Sequence, residues 1–309
     1  MLRIFNLIAI VLVSGIGVAA NAEPVFPPGL RIGLEPAPGL ASRPGLAGFE
    51  DAERKASVGI AELPTAAYGP LVNTLFGAAP SGAKGVTREM FSFQDGVGYL
   101  HEAHVIENGN AARRWLLLTM PLSNGPPFVV VVNVTVPDTA SSAYPEAAVR
   151  KMLASIVIRK PPIDEQLNLI PFKLQDLAGF KVKSVAPDTV FIADGSNEDA
   201  SLQPYMVVSV GSASTTEMDD RGRFSRDLLA HTPLRGLTIQ SAEDMRIGGT
   251  PGFEIRGRAQ GAGNIELSIV QWVRFLGGGF IRIVGVVPRE QWDEAFTRFR
   301  AVRDGVATR

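Results

Sequence analysis

The sequence predicts an α+β protein made of two tandem domains, each an antiparallel sheet of about five or six strands packed against two helices. The main support is an internal repeat. Residues 90–158 and 245–305 share one order: a Met-led alternating stretch, an apolar segment around a tryptophan, a Phe-led strand ending in Val-Pro, and an amphipathic helix. The length of 309 residues accommodates two ordinary domains, and 46% hydrophobic with 20% charged residues is typical of packed globular chains.

The first 22 residues are typical of a secretory signal peptide. Arg3 precedes an apolar stretch over residues 7–20, and Ala20-Asn21-Ala22 supplies the small residues that signal peptidase reads. Because a bilayer span needs about 20 apolar residues, this stretch is too short for an anchor. We expect cleavage between Ala22 and Glu23, with export to the periplasm or secretion and no stable membrane anchor afterwards.

Composition excludes several classes of protein. The chain has no cysteine, which excludes disulfides, thiol catalysis, Cys-ligated metals and a lipid-modified N-terminus after the leader. Residues 23–160 carry 12 basic and 12 acidic side chains, and residues 161–309 carry 17 and 19. Neither half has the basic excess of a nucleic-acid-binding protein.

The first predicted domain covers residues 23–160. Its proline-rich lead-in contains a short strand at 30–34, because Pro27, Pro28 and Pro36 break any longer element. A hairpin is expected at 49–63, and a helix at 68–76, where Leu71 and Leu75 have helical spacing.

The rest of this domain alternates strongly. Residues 97–104 alternate as a strand does, and the Asn-Gly pair at 108–109 favours a hairpin to a return strand at 115–120. The β-branched run 128–136 suits a central strand, and the apolar stripe of residues 144–156 predicts the closing helix.

A linker is expected at 161–169, after the charged Arg159 and Lys160 and around a stiff proline pair, with the second domain covering 170–309. The same reasoning predicts strands at 180–185, 190–193, 204–210, 247–258, 265–276 and 280–287, and helices at 224–231 and 289–302. Trp292, Phe296 and Phe299 form the buried stripe of the last helix.

This order of elements resembles the PsbP-like superfamily of small α+β domains. The residues that carry the resemblance are 245–258, with a Gly-Thr-Pro-Gly-Phe entry into a strand, and the strand-to-helix finish at 280–302. Residues 91–104 and 128–156 repeat the pattern in the first copy. The resemblance implies a binding or assembly module rather than an enzyme, and it implies no catalytic residues.

Catalytic and metal-binding patterns do not converge in this sequence. His101 and His104 have the spacing of a metal pair, but residues three apart on a strand point to opposite faces. We therefore expect no cofactor, no metal site and no enzymatic activity.

One cluster of charged residues is a candidate binding surface. Glu254, Arg256 and Arg258 share one face of a predicted strand, and Trp272, Arg274 and Arg282 lie on the neighbouring strands. Arginines gathered on an open sheet face would suit recognition of carboxylate or phosphate. The alternatives are an ordinary solvated sheet face, or a docking face for the first domain that buries Trp272.

The sequence thus favours an exported, non-enzymatic envelope protein that binds a partner protein or an anionic ligand through this cluster. Two other readings stay open. One is a hydrolase with an unrecognised site in a cleft between the domains. The other is a purely structural assembly factor of the envelope.

Overall fold

The computed structural model describes residues 23–309 apart from 44, 77–83, 108, 123, 196, 198, 200–201 and 215–218. The predicted signal peptide, including Ala22, lies outside the described residues. The fold is α+β, as expected. Its described part contains five α-helices: α1 Tyr68–Phe76, α2 Glu146–Ala154, α3 Ile163–Leu169, α4 Arg221–Ala230 and α5 Trp292–Asp304.

All strands pair antiparallel with their neighbours. Those before residue 160 are β1 Ile32–Gly33, β2 Gly48–Asp51, β3 Ala56–Leu63, β4 Lys84–Phe93, β5 Gly96–Glu107, β6 Asn110–Thr119, β7 Val129–Pro137 and β8 Val157–Ile158. Those after it are β9 Phe172–Leu174, β10 Lys181–Ala186, β11 Thr189–Ala193, β12 Tyr205–Ser212, β13 Arg235–Ile247, β14 Thr250–Gln260, β15 Glu266–Leu276, β16 Gly279–Pro288 and β17 Val306–Thr308.

The two main sheets share one strand order. The six-stranded sheet runs β2-β3-β7-β6-β5-β4, and the seven-stranded sheet runs β10-β11-β12-β16-β15-β14-β13. Apart from the additional edge strand β10, each strand occupies the same place in both sheets. A two-stranded pair accompanies each sheet, β1 with β8 and β9 with β17. The molecule therefore contains two sheet-dominated parts of matching topology, while the domain limits at 23–160, 161–169 and 170–309 remain predictions.

The Met-led stretches are hairpins rather than single strands. In the first half β4 turns into β5 at residues 94–95, and in the second half β13 turns into β14 at Gly248 and Gly249, whose φ angles are 56° and 80°. Glycine adopts this left-handed backbone without strain, which other residues do not. Each hairpin therefore contains two strands where the sequence pattern predicted one.

The first half has one continuous apolar core. Trp115, Leu117 and Val132 point from the sheet toward Met152 and Leu153 of α2, and all five side chains are buried. The lead-in strand packs against the same core through Ile32 and Leu34. The expectation of a sheet packed against two helices is not met here, because α2 contributes to this core and none of the buried residues described for it comes from α1.

The second half differs from the prediction, because its helices cover opposite faces of the sheet. Helix α5 buries Phe299 with Trp272 and Ile283 in one core. Helix α4 buries Phe224 and Leu229 in a separate core with Val273, Phe275 and Val284. β15 explains the arrangement, because its residues from Leu267 to Val273 are all buried and the strand is apolar on both sides.

Helix α3 occupies most of the expected linker. The backbone N–H of Gly29 donates to Glu165 of this helix at 3.0 Å, and Arg159 donates to the same carboxylate at 2.8 and 2.6 Å. Arg309 donates to the carbonyl of Leu167 at 2.8 Å. The connection is thus a helix bonded both to the N-terminal lead-in and to the C-terminal strand region.

Helices long and apolar enough to cross a bilayer do not occur in the described part of the chain.

Candidate functional site

The predicted arginine cluster divides between the two faces of the seven-stranded sheet. β14 pairs with β15 so that Gly252 is opposite Arg274, and Arg258 is opposite Ser268. Arg256, Arg258, Trp272 and Arg274 therefore share the face that α5 covers. Arg282 is opposite Val273, so it lies on the other face, under α4. The expectation that all these arginines gather on one open face is wrong.

The α5 face is closed over Trp272 and Glu254. Both side chains are buried, and the indole Nε1–H of Trp272 donates to Glu254 Oε2 at 2.6 Å. Phe296 of α5 stacks on Trp272 with ring centroids 6.0 Å apart. Trp272 is therefore a core residue beneath a helix, buried by its own half of the chain. It does not form part of a surface that docks the first domain.

Arg256 lies at the edge of this covered region. Its Nε donates to Glu254 Oε1 at 2.6 Å, and its guanidinium lies 4.6 Å from the centroid of the Phe296 ring. The Arg256 side chain keeps 40% of its surface exposed. The carboxylate of Glu254 and the aromatic ring hold the guanidinium in place while its outer nitrogens face solvent.

A cavity of ≈ 320 Å³ opens beside Arg256. Arg258 and Ser268 from the sheet line it, together with Arg289 and Trp292 from the start of α5. We call this cavity the arginine groove; its complete lining is Gln240, Arg256, Gly257, Arg258, Ser268, Ile269, Arg289, Trp292 and Asp293. Two of the predicted residues, Arg256 and Arg258, thus meet in one cavity.

Neighbouring polar groups hold the guanidiniums of the groove in place. With its amide oxygen turned toward Arg258, Gln240 accepts from Nε at 2.8 Å and from Nη2 at 3.2 Å. Arg289 donates through Nη1 to Glu266 at 2.6 Å, and this hydrogen bond lowers the pKa of the Glu266 carboxyl. Each arginine retains further N–H groups that can donate to a ligand.

Arg274 is outside the groove. Its Nε donates to Thr250 Oγ1 at 2.8 Å, and Nη1 donates to the carbonyl of Val306 at 3.2 Å. These bonds tie the β13–β14 turn to the C-terminal strand β17. Arg274 therefore joins elements of the fold.

Arg282 is a partly buried arginine with neutral partners. Its Nε donates to Gln271 Oε1 at 2.7 Å, and Nη2 donates to Thr232 Oγ1 at 2.5 Å. Gln271 is fully buried and donates to the carbonyl of Ser225 in α4 at 2.7 Å. Burial lowers the pKa of Arg282 to about 10. This chain of bonds joins the sheet to α4 on the face away from the groove.

The first half has a counterpart of the Trp272–Glu254 pair. Trp115 is opposite Glu102 on neighbouring strands, in the same register as Trp272 and Glu254. Arg113 bonds to Glu102 and also donates to Glu146 of α2 at 2.9 Å. The first half therefore also has an arginine beside its tryptophan–glutamate pair. The arginine lies on the strand of the tryptophan in one half and on the strand of the glutamate in the other.

Sequence reasoning missed Arg289, Ser268 and Trp292 as groove residues. Trp292 was assigned to the buried stripe of the last helix, but it is only half-buried and stacks on Phe296 with centroids 4.8 Å apart. The signal that could have found Arg289 is its position just after the Val-Pro end of β16, where the chain returns across the sheet. Glu23, the residue after the predicted cleavage point, is exposed.

A second cavity, of ≈ 540 Å³, lies on the α4 face at the start of α4. Asp220, Arg226, Glu243 and Asp244 line it, so its charge is mixed and mainly acidic. Across the described residues, groups of three or more His, Asp or Glu side chains placed to hold a metal ion are absent.

The histidines behave as expected from their spacing. His101 and His104 are three apart on β5, so they point to opposite faces of the six-stranded sheet. His231 follows α4, and its Nδ1 lies 2.6 Å from the carbonyl of Asp227. This contact places His231 at the helix C-terminus.

Comparison with known proteins leaves the family of the chain open. Models of protein families do not match it, and neither do curated proteins. Similar solved structures include LpqN, involved in cell envelope biogenesis of Mycobacterium tuberculosis, with 12% identity and a TM-score of 0.36 over 45% of this chain and 83% of that one. The cyanobacterial PsbP (CyanoP) of Synechocystis sp. PCC 6803 has 18% identity and a TM-score of 0.34 over 45% and 87%.

Other similar structures span nearly the whole chain. The type VI secretion immunity protein TplEi of Pseudomonas aeruginosa covers 93% of this chain and 96% of its own length, at 10% identity and a TM-score of 0.30. At these scores the similarities support no inference about family or function.

Proposed function

We propose that this chain is an exported, non-enzymatic protein of the bacterial envelope that binds a partner protein or an anionic ligand, and that the arginine groove receives the anionic group. The observation that supports the proposal is that Arg256, Arg258 and Arg289 line one cavity. Arginine forks match carboxylate and phosphate oxygens in pairs, and prior fixation reduces the entropy lost on binding.

The groove is specific to the second half. Its sheet residues Arg258 and Ser268 correspond in register to Ile106 and Ala111 of the first half, and Ile106 is an exposed apolar side chain. The first half therefore offers a natural comparison surface without the anion-binding side chains. This difference favours separate roles for the two copies.

Capture from an envelope extract tests the proposal. Residues 23–309 are immobilised as the unaltered chain, as Arg258→Gln/Arg289→Gln, and as Arg223→Gln/Arg235→Gln. Arg223 and Arg235 are exposed, so the control pair loses the same charge outside the groove. We expect the unaltered chain and the control variant to retain a partner or ligand that the groove variant loses. Mass spectrometry quantifies the amount retained by each. Equal retention by all three would remove the groove from the account.

Export has its own test. We expect a mature protein that starts at Glu23 and fractionates outside the cytoplasm when the full sequence is expressed in a bacterial host. N-terminal sequencing of the purified product decides the cleavage site. A product that keeps residues 1–22 and stays in the cytoplasm would contradict export.

The alternative functions are weaker proposals. A hydrolase site between the two halves would require catalytic groups that converge there, and both cavities described above belong to the second half. A purely structural assembly factor does not require the guanidiniums beside Trp292. The groove therefore favours a binding protein over either alternative.

A further inference from the structure

We infer that the ligand of the arginine groove carries its negative charge as a phosphate or carboxylate group on a flat apolar body, with the oxyanion on Arg258 and Ser268 and the body on Trp292. This inference rests on the proposed function, because it names the ligand class of the same groove. Three lining residues determine what the groove can bind: Ser268, Trp292 and Asp293, which is its one acidic residue.

Ser268 supplies a hydroxyl to the groove. It lies opposite Arg258 on the neighbouring strand, and both residues line the cavity. The hydroxyl of Ser268 can donate to an oxyanion that lies between the two residues, and the guanidinium of Arg258 attracts the same group.

The indole of Trp292 would contact the apolar part of the ligand. It is half-buried, and its outer surface lines the groove while its inner surface stacks on Phe296 at 4.8 Å. An indole held in this way presents a fixed apolar wall, which favours a flat or apolar group over a fully hydrated ion. An inorganic anion would make no apolar contact with this indole.

Asp293 limits the charge that the groove can accept. Its carboxylate shares the cavity with the arginines, so it opposes a bound anion. Removing that charge should strengthen anion binding, whereas removing Arg258 should weaken it. Ser268→Ala changes no charge, so its effect separates a hydrogen bond at this site from the general field of the protein.

Calorimetric titration of residues 23–309 tests the inference. The probes are phenyl phosphate and phenylacetate as the two oxyanion sources, benzyl alcohol as the neutral body, and inorganic phosphate as the anion alone. We expect phenyl phosphate or phenylacetate to bind at least tenfold more tightly than benzyl alcohol and inorganic phosphate do. The tighter of phenyl phosphate and phenylacetate identifies the oxyanion.

Variants of the groove residues test where the probe binds. Ser268→Ala should weaken the binding of the phenyl anion about tenfold, Arg258→Gln by at least as much, and Asp293→Asn should strengthen it, whereas the exposed control Arg235→Gln changes nothing. Circular dichroism confirms that each variant is folded. Affinity that is unchanged in Ser268→Ala, or phenyl anions that fail to bind the folded chain, would overturn the inference.

This result is separable from the proposed function. If neither phenyl anion binds but Arg258→Gln/Arg289→Gln still loses its captured partner, the ligand class is wrong and the binding role stands. If capture is also unchanged, both proposals fall.

Discussion

Trp272 donates its indole N–H to the carboxylate of Glu254 across adjacent strands, at 2.6 Å, with both side chains buried beneath α5. The same carboxylate accepts from Arg256, whose guanidinium borders the groove. One buried acid thus joins the core of the second half to the wall of its cavity. In the first half, the indole N–H of Trp115 has no hydrogen-bond partner among the described residues, and Arg113 bonds to Glu102 instead.

Replacing Glu254 should show how much the hydrogen bond between Trp272 and Glu254 stabilises the fold. Glu254→Ala leaves the Trp272 N–H buried without an acceptor, and we expect it to lower the free energy of unfolding by about 1–3 kcal/mol. Glu254→Gln keeps an amide oxygen and should cost clearly less. Urea unfolding followed by circular dichroism measures both. Equal losses in the two variants would show that the charge, rather than the hydrogen bond to Trp272, is what matters.

Gly285 sets the approach of α5 to the sheet. A Cβ at this position would lie 2.6 Å from the ring of Phe299, so Gly285→Ala should force the helix outward. Overpacking of this kind costs about 1–3 kcal/mol. Gly277→Ala is the matched control, because a Cβ there meets no atom within 4 Å. Thermal unfolding compares the two, and a Gly285→Ala variant as stable as the Gly277→Ala control would contradict the packing of α5.

Asp51 and Tyr144 predict a pH dependence in the first half. Tyr144 donates to Asp51 Oδ2 at 2.6 Å, and this bond, with those from Arg54, lowers the pKa of Asp51 to about 2 from 3.8. Because the folded pKa is the lower one, the stabilisation is complete above pH 3.8 and is lost as the pH falls toward 2.

Tyr144→Phe should therefore destabilise the protein at pH 6 and reduce the loss of stability between pH 4 and pH 2. Denaturant unfolding across this range measures the difference, with Tyr68→Phe as a second variant that removes only a hydroxyl. Parallel stability curves for the native chain and Tyr144→Phe would exclude the Asp51 bond as the cause.

Arg282 should affect folding but not binding. Arg282→Met leaves the oxygen of Gln271 buried without a donor, so we expect a loss of about 1–3 kcal/mol, and the double variant with Gln271→Met should recover part of it. Binding of phenyl phosphate or phenylacetate should stay within twofold of the native value. A tenfold loss of binding in a folded Arg282→Met variant would place Arg282 in the site after all.

The sequence predicted the fold where local patterns decide it. The internal repeat appears as one strand order in both sheets, and α1 has the predicted limits Tyr68–Phe76. The patterns failed where the decision depends on what covers a strand. Alternation shows that Arg256 and Arg258 share a face, but it does not show that α5 covers that face beside Trp272.

Local sequence patterns were likewise insufficient to place the residues of the candidate site. The pairing of β15 with β16 puts Arg282 opposite Val273, one residue from Trp272, and a shift of one residue moves a side chain to the other face. Ser268 and Arg289 carry no motif, and only the return of the chain over the sheet brings them beside Arg258. These placements depend on register and helix packing, which the sequence does not show.

Backbone amide chemical shifts offer the most direct test of the arginine groove. Isotope-labelled protein spanning residues 23–309 is titrated with phenyl phosphate and, separately, with phenylacetate. We expect saturable shifts centred on Gly257, Ser268 and Arg289 for at least one of the two probes, and the loss of these shifts in Arg258→Gln. Shifts centred outside the groove, or none at all with either probe, would contradict binding in the groove.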